Sequence, residues 1–289
     1  MSENLIFEQF LDRLKKTTDE GRDKAVKKRH QLGLRSAREN LSDLVDDQSF
    51  LEYGAFAVAA QRSRKKYEDL QIDTAADGII TGFCKINSDI VGDKKANAAC
   101  IIYDYSVLAG TQGYFHHMKL DRLCEKVREY GLPIVIFTEG GGGRPGDTDV
   151  TTSVAGLHVP SFANWAGLSG KCLRIAVNNG FCFAGNAALF GSADIRIATK
   201  NSWIGMAGPA MIEGGGLGKF SPKEIGPSNI QEKNGVIDVI AEDEKEATKM
   251  AKKILSYFQG NESEWKVSDQ SQLINIMPRT DDGLTRYVI

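Results

Sequence analysis

The amino-acid sequence predicts an α/β protein with a largely parallel sheet. Short continuous apolar runs alternate with amphipathic helical patterns, and glycine-rich turns follow several of these runs. Such alternation is typical of parallel strands that are joined by helices. The chain has 289 residues, which is enough for one large α/β domain or two small ones, and no internal repeat is visible.

The composition is that of an ordinary globular protein. Hydrophobic residues make up 42%, charged residues 26%, and the formal net charge is -2, so nothing favours a nucleic-acid or membrane partner. No apolar run approaches membrane-spanning length, and the charged N-terminus lacks a signal-peptide core. The five cysteines are scattered, without a C-x-x-C pair. This pattern indicates reduced thiols in a cytoplasmic protein and argues against a zinc ribbon, so no metal is expected.

The first third of the chain predicts helices followed by two strands. A helical pattern runs over residues 5–31, and its lysines and arginines indicate a solvated face. Ser36 is placed to cap a second short helix over Ala37–Val45. The polar residues 61–74 predict an exposed loop or a frayed helix. Two apolar strands joined by a polar hairpin turn come next: Gly78–Ile86 and Asn97–Tyr103.

The rest of the chain predicts longer helices and further buried strands. An amphipathic helix is expected over Phe115–Tyr130, and a third buried strand over Ile134–Thr138. Helical patterns also lie at Ser153–Gly170 and Asp243–Phe258, and residues 203–218 predict a long glycine-punctuated loop. In the helix over Phe115–Tyr130, the residues that should face inward are Met118, Leu120, Leu123, Cys124 and Val127.

Residues 175–199 predict the strand, turn and helix around which a site would form. Ile175–Val177 is a short apolar run that ends in the turn signal Asn178-Asn179-Gly180. After a second apolar stretch, a turn at Gly185 and small residues predict a helix, and Ile195 opens a new strand. A glycine at the start of a packed helix lets a ligand reach the free backbone N–H groups there. The plainer alternative is that Gly185 only permits close helix–strand packing.

A second glycine-rich turn follows the strand that ends at Thr138. Its sequence over Glu139–Asp149 is EGGGGRPGDTD. Four consecutive glycines are costly in an ordinary loop, because each loses much conformational entropy on folding, but they suit a turn whose N–H groups point at a ligand. GGGGR lacks the Lys-Ser/Thr of a phosphate-binding P-loop, and no G-x-G-x-x-G opens a helix as in a dinucleotide fold.

The order of these elements resembles the crotonase superfamily. The motifs resemble one branch of it, the carboxyltransferase subunits of biotin-dependent acyl-CoA carboxylases of the acetyl-/propionyl-CoA carboxylase beta type. The colinear resemblance covers nearly the whole chain. The segments that carry it are LRSARENLSDLVDDQSFLEYG (34–54), ADGIITGFCKI (76–86), YDYSVLAGTQGYFHHMKL (103–120), EGGGGR (139–144), NGFCFAGNAAL (179–189) and PKEIGPSNIQEKNGVIDVIAEDEKEA (222–247).

The resemblance implies a crotonase-like spiral of ββα units in a single domain with an N-terminal helical extension. It divides the chain into residues 1–30 as the extension, 31–262 as the N-terminal crotonase-like domain of a carboxyltransferase, and 263–289 as a connector toward an absent C-terminal domain. The chain would then be half of a split transferase or a truncated one. Because the sites of this family lie between subunits, an oligomer is expected.

The resemblance also implies carboxyl transfer from carboxybiotin to the α-carbon of an acyl-CoA. Biotin would arrive on a separate carrier domain, so the implied partners are acyl-CoA, the biotin carboxyl carrier, biotin carboxylase and the C-terminal carboxyltransferase half. The protein would supply N–H donors to the thioester oxygen, where negative charge develops. The catalytic candidates, among which the sequence does not choose, are Gly141, Gly142, Gly143 and Gly185. Gly180 and Ala184 are candidate substrate-binding residues.

Two charged residues are further candidates for binding the substrate. Arg144 could hold a phosphate or carboxylate of an acyl-CoA, or it could form a structural ion pair with Glu139 or Asp147. Lys119 could pair with a phosphate of coenzyme A, and the plainer alternative is a surface lysine.

Other functions fit the residues less well. Hydration of an enoyl-CoA needs two glutamates, and their expected positions hold Ala188 and Gly208, which cannot titrate. His116 and His117 are better explained as core or solvated histidines, because nothing nearby completes a triad. Two alternatives stay open: the carboxyltransferase subunit of a biotin-dependent decarboxylase, and a non-catalytic subunit that binds acyl-CoA or serves assembly.

Overall fold

Strands that are buried on both faces form the centre of the protein. The computed structural model describes residues 3–150 and 159–260, together with residues 269 and 271. Within these residues seven strands form one sheet, and their order in space follows their order in the chain. They are β1 (Leu51–Tyr53), β2 (Ile79–Lys85), β3 (Asn97–Tyr103), β4 (Ile134–Phe137), β5 (Arg174–Phe183), β6 (Ile195–Gly205) and β7 (Val239–Ala241).

The sheet is mixed, and most of it is parallel. β1, β2 and β3 pair antiparallel, whereas β3 to β7 pair parallel, from one strand to the next. Parallel neighbours need a crossover between them, and helices supply it after β3, β4 and β5. The prediction of an α/β protein with a largely parallel sheet is confirmed.

In the described residues, helices cover the sheet, and the first helices precede it in the chain. Ser36 forms a capping box with Glu39 at the start of the third helix, as the sequence predicted. The helices are α1 (Glu3–Lys15), α2 (Asp23–Gln31), α3 (Ala37–Leu44), α4 (Tyr67–Asp73), α5 (Ser88–Val91), α6 (Tyr114–Tyr130), α7 (Ser161–Ala166), α8 (Gly185–Gly191), α9 (Pro209–Gly214), α10 (Ser228–Gln231) and α11 (Glu244–Gln259).

The core has two layers, one on each face of the sheet. Successive strand residues point to opposite faces, so Ile101 joins the cluster packed under α6, α7 and α8. Ile102 joins the other cluster, which is covered by α3 and α11. Because both faces are buried, the strands read as continuous apolar runs rather than as alternating ones. This is why the sequence pattern located β2 and β3 closely.

The predicted continuous helix over residues 5–31 is interrupted. The hydroxyls of Thr17 and Thr18 donate to the carbonyls of Leu14 and Lys15, at 2.7 and 2.8 Å, and the helix ends there. Residues 3–259 nevertheless belong to one unit. The boundaries at 30/31 and 262/263 are not tested by these observations, and the predicted connector over 263–289 lies almost wholly outside the described residues.

The turn predicted at Asn178-Asn179-Gly180 is wrong. β5 continues through these residues, and its pairing with β6 shifts register between Asn178 and Gly180, as in a β-bulge. Gly180 has φ 85°, which makes the bulge possible. The Asn178 side chain donates back to the Gly180 carbonyl at 3.1 Å. Polar residues that usually mark a turn are therefore buried within a strand.

One open alternative is decided, and two smaller predictions are corrected. Residues 67–73 form helix α4 within the stretch for which a loop or a frayed helix was left open. β6 runs on to Gly205, so the predicted loop from residue 203 starts later and contains α9. Met118 is 53% exposed, although the other four apolar residues named for α6 are buried. The helical pattern of Ser153–Gly170 is partly tested: α7 lies within it, and residues 153–158 are outside the described part of the chain.

Leu120→Ala should lower the free energy of unfolding by about 2–5 kcal/mol, because the leucine is fully buried under the sheet and its loss leaves a cavity. Met118→Ala, two residues away on the same helix, is the matched control and should change it by less than about 0.5 kcal/mol. Urea denaturation of both variants measures the difference. Equal costs at the two positions would contradict the placement of α6.

Candidate functional site

The two glycine-rich turns lie side by side. Beyond the end of β4, the Gly140 amide donates to the carbonyl of Phe181, in the last residues of β5, at 2.7 Å, and the Phe183 amide donates to the Gly140 carbonyl at 2.9 Å. The first turn, residues 139–144, therefore runs along the end of β5 and meets the start of α8. Parallel strands bring their carboxyl ends to the same edge of a sheet, where sites commonly form.

Two of the four candidate amides are already used inside the protein. The Gly141 amide donates to the Ala109 carbonyl at 3.0 Å. The Gly142 amide donates to the Asn186 side-chain oxygen, also at 3.0 Å. In this conformation neither N–H is available to a ligand, because a backbone N–H makes one strong hydrogen bond. The prediction that these two glycines donate to an oxyanion is therefore revised: they hold the turn in place.

The Gly143 amide is directed differently. The Gln112 amide donates to the Gly142 carbonyl at 2.7 Å, and the Arg144 amide donates to the Gln112 carbonyl at 2.9 Å. A trans peptide points its N–H opposite to its C=O, so the N–H of Gly143 points away from Gln112. It has no hydrogen-bond partner among the described residues. Gly143 is exposed and lines a cleft of about 530 Å³.

The second turn places Gly185 at the first position of α8. Ala184 precedes it with φ 52° and ψ -118°, a backbone conformation that costs roughly 1–3 kcal/mol in a residue other than glycine. The Ala184 amide donates to the Gly205 carbonyl at 3.0 Å, so Ala184 offers no free N–H. The first N–H groups of a helix lack partners within it, which leaves that of Gly185 as the second candidate donor.

Glycine at position 142 lets the two turns approach each other. A Cβ on Gly142 would lie 2.7 Å from the Cβ of Ala184 and 3.7 Å from the Gly185 amide nitrogen. Real Cβ contacts are not as short as the first of these distances. From the sequence, glycine was expected here to give access to a ligand, whereas in the structure it permits the close contact of one main chain with another.

The cleft beside Gly143 has polar and aromatic walls. Its other lining residues include Gln112, Tyr114, His117, Met118 and Pro160. Nδ1 of His117 lies 2.9 Å from the Ser161 hydroxyl. Burial, with the charge of Arg144, lowers the pKa of His117 from 6.5 to about 4, so the ring is neutral at pH 7. His116 is fully buried and packs on Tyr103, so the prediction of a core histidine holds for it.

Arg144 does not reach into the cleft as a free cation. Its side chain is 3% exposed and forms an ion pair with Asp77, a partner that the sequence analysis did not consider. A second contact joins it to Asp147 at 3.5 Å. The structural alternative that named Asp147 is therefore correct, and Glu139 is not a partner. Asp77 belongs to the ADGIITG segment. Its position next to a glycine in that segment is the one sequence feature that could have marked it as a candidate.

Lys119 is neither a phosphate ligand nor a surface lysine. Its ammonium group donates to the Ala76 carbonyl at 2.8 Å and also to the Ile79 carbonyl. Burial lowers its pKa from 10.5 to about 8. The sequence pattern misassigned this residue because the inward face of α6 was expected to be apolar, whereas the lysine satisfies carbonyls of a turn that packs on the helix.

Gly180 accommodates a buried ion pair. A Cβ at this position would overlap the carboxylate of Glu139. Both carboxylate oxygens of Glu139 accept from the Arg29 guanidinium, at 3.0 and 2.7 Å. Burial raises the pKa of Glu139 from 4.5 to about 7, although Arg29 acts in the opposite direction. Arg29 belongs to the predicted solvated face of the N-terminal helices, so its burial corrects that expectation.

A second cleft, of about 610 Å³, has Glu139 among its lining residues. Its wall combines basic and aromatic side chains: Lys28, Arg29, Tyr105, Trp203 and Lys223. The Lys223 ammonium lies 5.6 Å from the centre of the Trp203 ring. Such a wall suits a ligand that carries both phosphate groups and an aromatic ring.

The described part of the chain has no helix long and apolar enough to cross a membrane. Nor do its His, Cys, Asp and Glu side chains form a group of three or more that could hold a metal ion.

His117 should contribute a loss of stability as the pH falls from 6.5 towards 4, because the unfolded chain protonates it near pH 6.5 whereas the folded protein resists this until about pH 4. Buried His116 adds to this slope and Glu139, whose pKa is raised, opposes it, so the contribution of His117 is read as the difference between wild type and variant. His117→Gln should flatten this part of the profile, measured as the midpoint of urea unfolding against pH. Met118→Ala, at an exposed residue of the same cleft that does not titrate, is the control and should leave the slope unchanged. An unaltered slope in the His117 variant would rule out this assignment.

Comparisons with known proteins identify the family of this chain. Residues 28–283 match the family model described as the carboxyl transferase domain. The 12S subunit of methylmalonyl-CoA carboxyltransferase from Propionibacterium freudenreichii subsp. shermanii is 31% identical over 271 residues, which cover 89% of this chain and 48% of that protein. The beta4 subunit of a biotin-dependent long chain acyl-coenzyme A carboxylase from Mycobacterium tuberculosis is 29% identical over 254 residues, which cover 88% and 45%.

The fold is also that of a solved structure, a single-chain, multi-domain long-chain acyl-CoA carboxylase. It superposes with a TM-score of 0.88 at 49% sequence identity, and the match covers 96% of this chain and 27% of that one. The present chain spans about half the length of the curated relatives it matches. The resemblance and the crotonase-like fold inferred from the motifs are confirmed, and the chain belongs to the carboxyl transferase domain family.

Proposed function

We propose that this chain is the acyl-CoA-binding half of a carboxyltransferase, which moves a carboxyl group from carboxybiotin to the α-carbon of an acyl-CoA. The observation that carries the proposal is the backbone N–H of Gly143, which is unpaired among the described residues and sits on the wall of a cleft. The neighbouring turn offers a second N–H, that of Gly185, which as the first residue of α8 has no partner within the helix. Membership of the carboxyl transferase domain family supports this chemistry.

The proposed role of these amides follows from where charge develops. When an acyl-CoA loses its α-proton, the thioester oxygen gains negative charge. N–H groups that are already held in place stabilise this charge without reorganising during the reaction. Gly143 and Gly185 are the proposed donors, while Gly141 and Gly142 hold the first turn. Arg144, Gly180 and Lys119, which were candidates for binding the substrate, are assigned to supporting the turns.

Carboxybiotin on a separate carrier domain would supply the carboxyl group and the base that accepts the α-proton. The described residues fit such a visiting reactant, because Gly143 lies on an exposed turn at an open cleft. Acyl-CoA, the biotin carboxyl carrier, biotin carboxylase and the C-terminal carboxyltransferase half are therefore the proposed partners, in an oligomer in the cytoplasm. The proposed division of the chain stays at residues 1–30, 31–262 and 263–289.

Removing the N–H of residue 143 should abolish most of the activity. Gly143→Pro lacks the donor and should lower kcat for carboxyl transfer by about 100-fold or more, in an assay with a C-terminal partner. Gly143→Ala keeps the N–H, and its Cβ would meet nothing within 4 Å, so this control should stay close to wild type. If the proline variant keeps its melting temperature and most of its kcat, Gly143 is not an oxyanion donor.

The second cleft is the proposed site for the nucleotide end of coenzyme A. Lys28 and Lys223 are exposed cations on its wall, and Trp203 offers a ring for stacking. The phosphates of coenzyme A would pair with the lysines, and the adenine would lie against the indole.

Acetyl-, propionyl- and longer acyl-CoA should each raise the melting temperature of the wild-type chain, since a ligand that binds only the folded state stabilises it. Lys28→Ala with Lys223→Ala should weaken binding about tenfold, as expected for the loss of charge-assisted contacts. Lys126→Ala removes a lysine that pairs with Glu129 outside both clefts, and it should bind normally. Absence of stabilisation by every CoA thioester would count against the proposed function itself.

A further inference from the structure

Asp77 lies in a strained turn beneath the candidate site. Ala76 and Asp77 both have positive φ, at 53° and 52°, and the following Gly78 has φ 73°. Successive residues in this region are costly unless the surrounding contacts hold them there. Lys119 supplies part of that support through the carbonyls of Ala76 and Ile79. The side chain of Asp77 is fully buried.

The Asp77 carboxylate joins two parts of the structure. One oxygen accepts from the His116 amide at 2.7 Å, in the first turn of α6. The other oxygen pairs with the Arg144 guanidinium. Asp147 makes a parallel set of contacts, accepting from the Tyr114 amide at 2.8 Å and lying 3.5 Å from Arg144. Arg144 is therefore held between two carboxylates that also cap α6.

From Arg144 a chain of hydrogen bonds leads to Gly143 through two peptide groups. The guanidinium donates to the Thr111 carbonyl at 2.7 Å. The N–H of that same peptide, which belongs to Gln112, donates to the Gly142 carbonyl at 2.7 Å. The Gly142 carbonyl shares its peptide with the N–H of Gly143. Each peptide is planar and trans, so a donor at its oxygen fixes the direction of its N–H.

We propose that Arg144, anchored by Asp77, is a positioning residue that orients and polarises the Gly143 N–H through the Thr111–Gln112 and Gly142–Gly143 peptides. A cation at the first carbonyl makes the next N–H a stronger donor, and the effect passes along the chain of hydrogen bonds. The inference rests on the proposed function, because it assumes that this N–H donates to a thioester oxygen. It also gives a function to the buried guanidinium that follows directly after the four glycines.

A purely structural ion pair is the competing explanation, and it makes a different prediction. Removing one partner of a buried pair destabilises a protein because the other charge is left unpaired. Such a loss would affect all ligands of the cleft alike. A positioning role affects the carbonyl-dependent part of binding, which is measured by comparing an acyl-CoA with an alkyl-CoA thioether that has no carbonyl oxygen.

The test measures dissociation constants of acetyl-CoA and ethyl-CoA for wild type, Asp77→Asn and the double variant Asp77→Asn/Arg144→Met. The double variant removes both charges of the Arg144–Asp77 pair, and Asp147 keeps its hydrogen bonds from the Tyr114 amide and the Gln61 side chain. It therefore guards against a single variant that fails to fold. The preference for the thioester is the ratio of the two dissociation constants, and in both variants it should fall about three- to tenfold. A change of this size corresponds to losing part of the contribution of one hydrogen bond. The infrared C=O stretch of bound acetyl-CoA should move back towards its value in water.

Asp194→Asn is the matched control. It breaks another buried arginine pair, in which Arg174 lies 2.6 Å from Asp194 at the opposite end of β5 from Gly185. This variant should lose stability but keep the thioester preference and the C=O stretch. If the folded Asp77 variants also keep both, the positioning role is overturned while the proposed function stands. If the wild-type protein itself shows no preference for the thioester, the proposed function fails first.

Discussion

The structure depends on the backbone pairing of Gly140 with Cys182, where the chain beyond the end of β4 continues alongside the last residues of β5. The contact places the first glycine turn against the start of α8. It needs glycine because a side chain at position 142 would strike Ala184. The exposed N–H of Gly143, the strained backbone of Ala184 and the cleft next to them all follow from this close approach.

Buried charges hold this arrangement from below. Arg29 pairs with Glu139, Arg144 with Asp77, and Lys119 caps the carbonyls of the turn that carries Asp77. A buried ion pair contributes little net stability, because desolvation offsets most of the attraction. Its geometric demands are strict, however, and each of these groups connects a loop near the glycine turns to a separate element. The pairs therefore explain the shape of the site better than they explain its stability.

Much of the fold was predictable from local patterns. Continuous apolar runs located β2 and β3, helical spacing located α6 and α11, and Ser36 marked the start of α3. Several of the errors have one cause in common: a polar residue was interpreted from the environment in which its type is usually found. Asn178 and Asn179 suggested a turn, but their side chains are buried within a bulged strand, where that of Asn178 donates to the Gly180 carbonyl. Lys119 suggested a surface, but its ammonium group donates to carbonyls of another turn.

Family, fold class and the two glycine turns could be established from residue types and their spacing, because hydrophobic periodicity and motif order are written along the chain. Which of the four glycine amides is free to donate to a ligand could not be established in this way. Ala109 and Asn186 take the N–H groups of Gly141 and Gly142, and Gln112 turns that of Gly143 away from itself. These partners lie about 30 to 45 residues away in sequence, so only the packing of the folded chain decides which donor is left for a ligand.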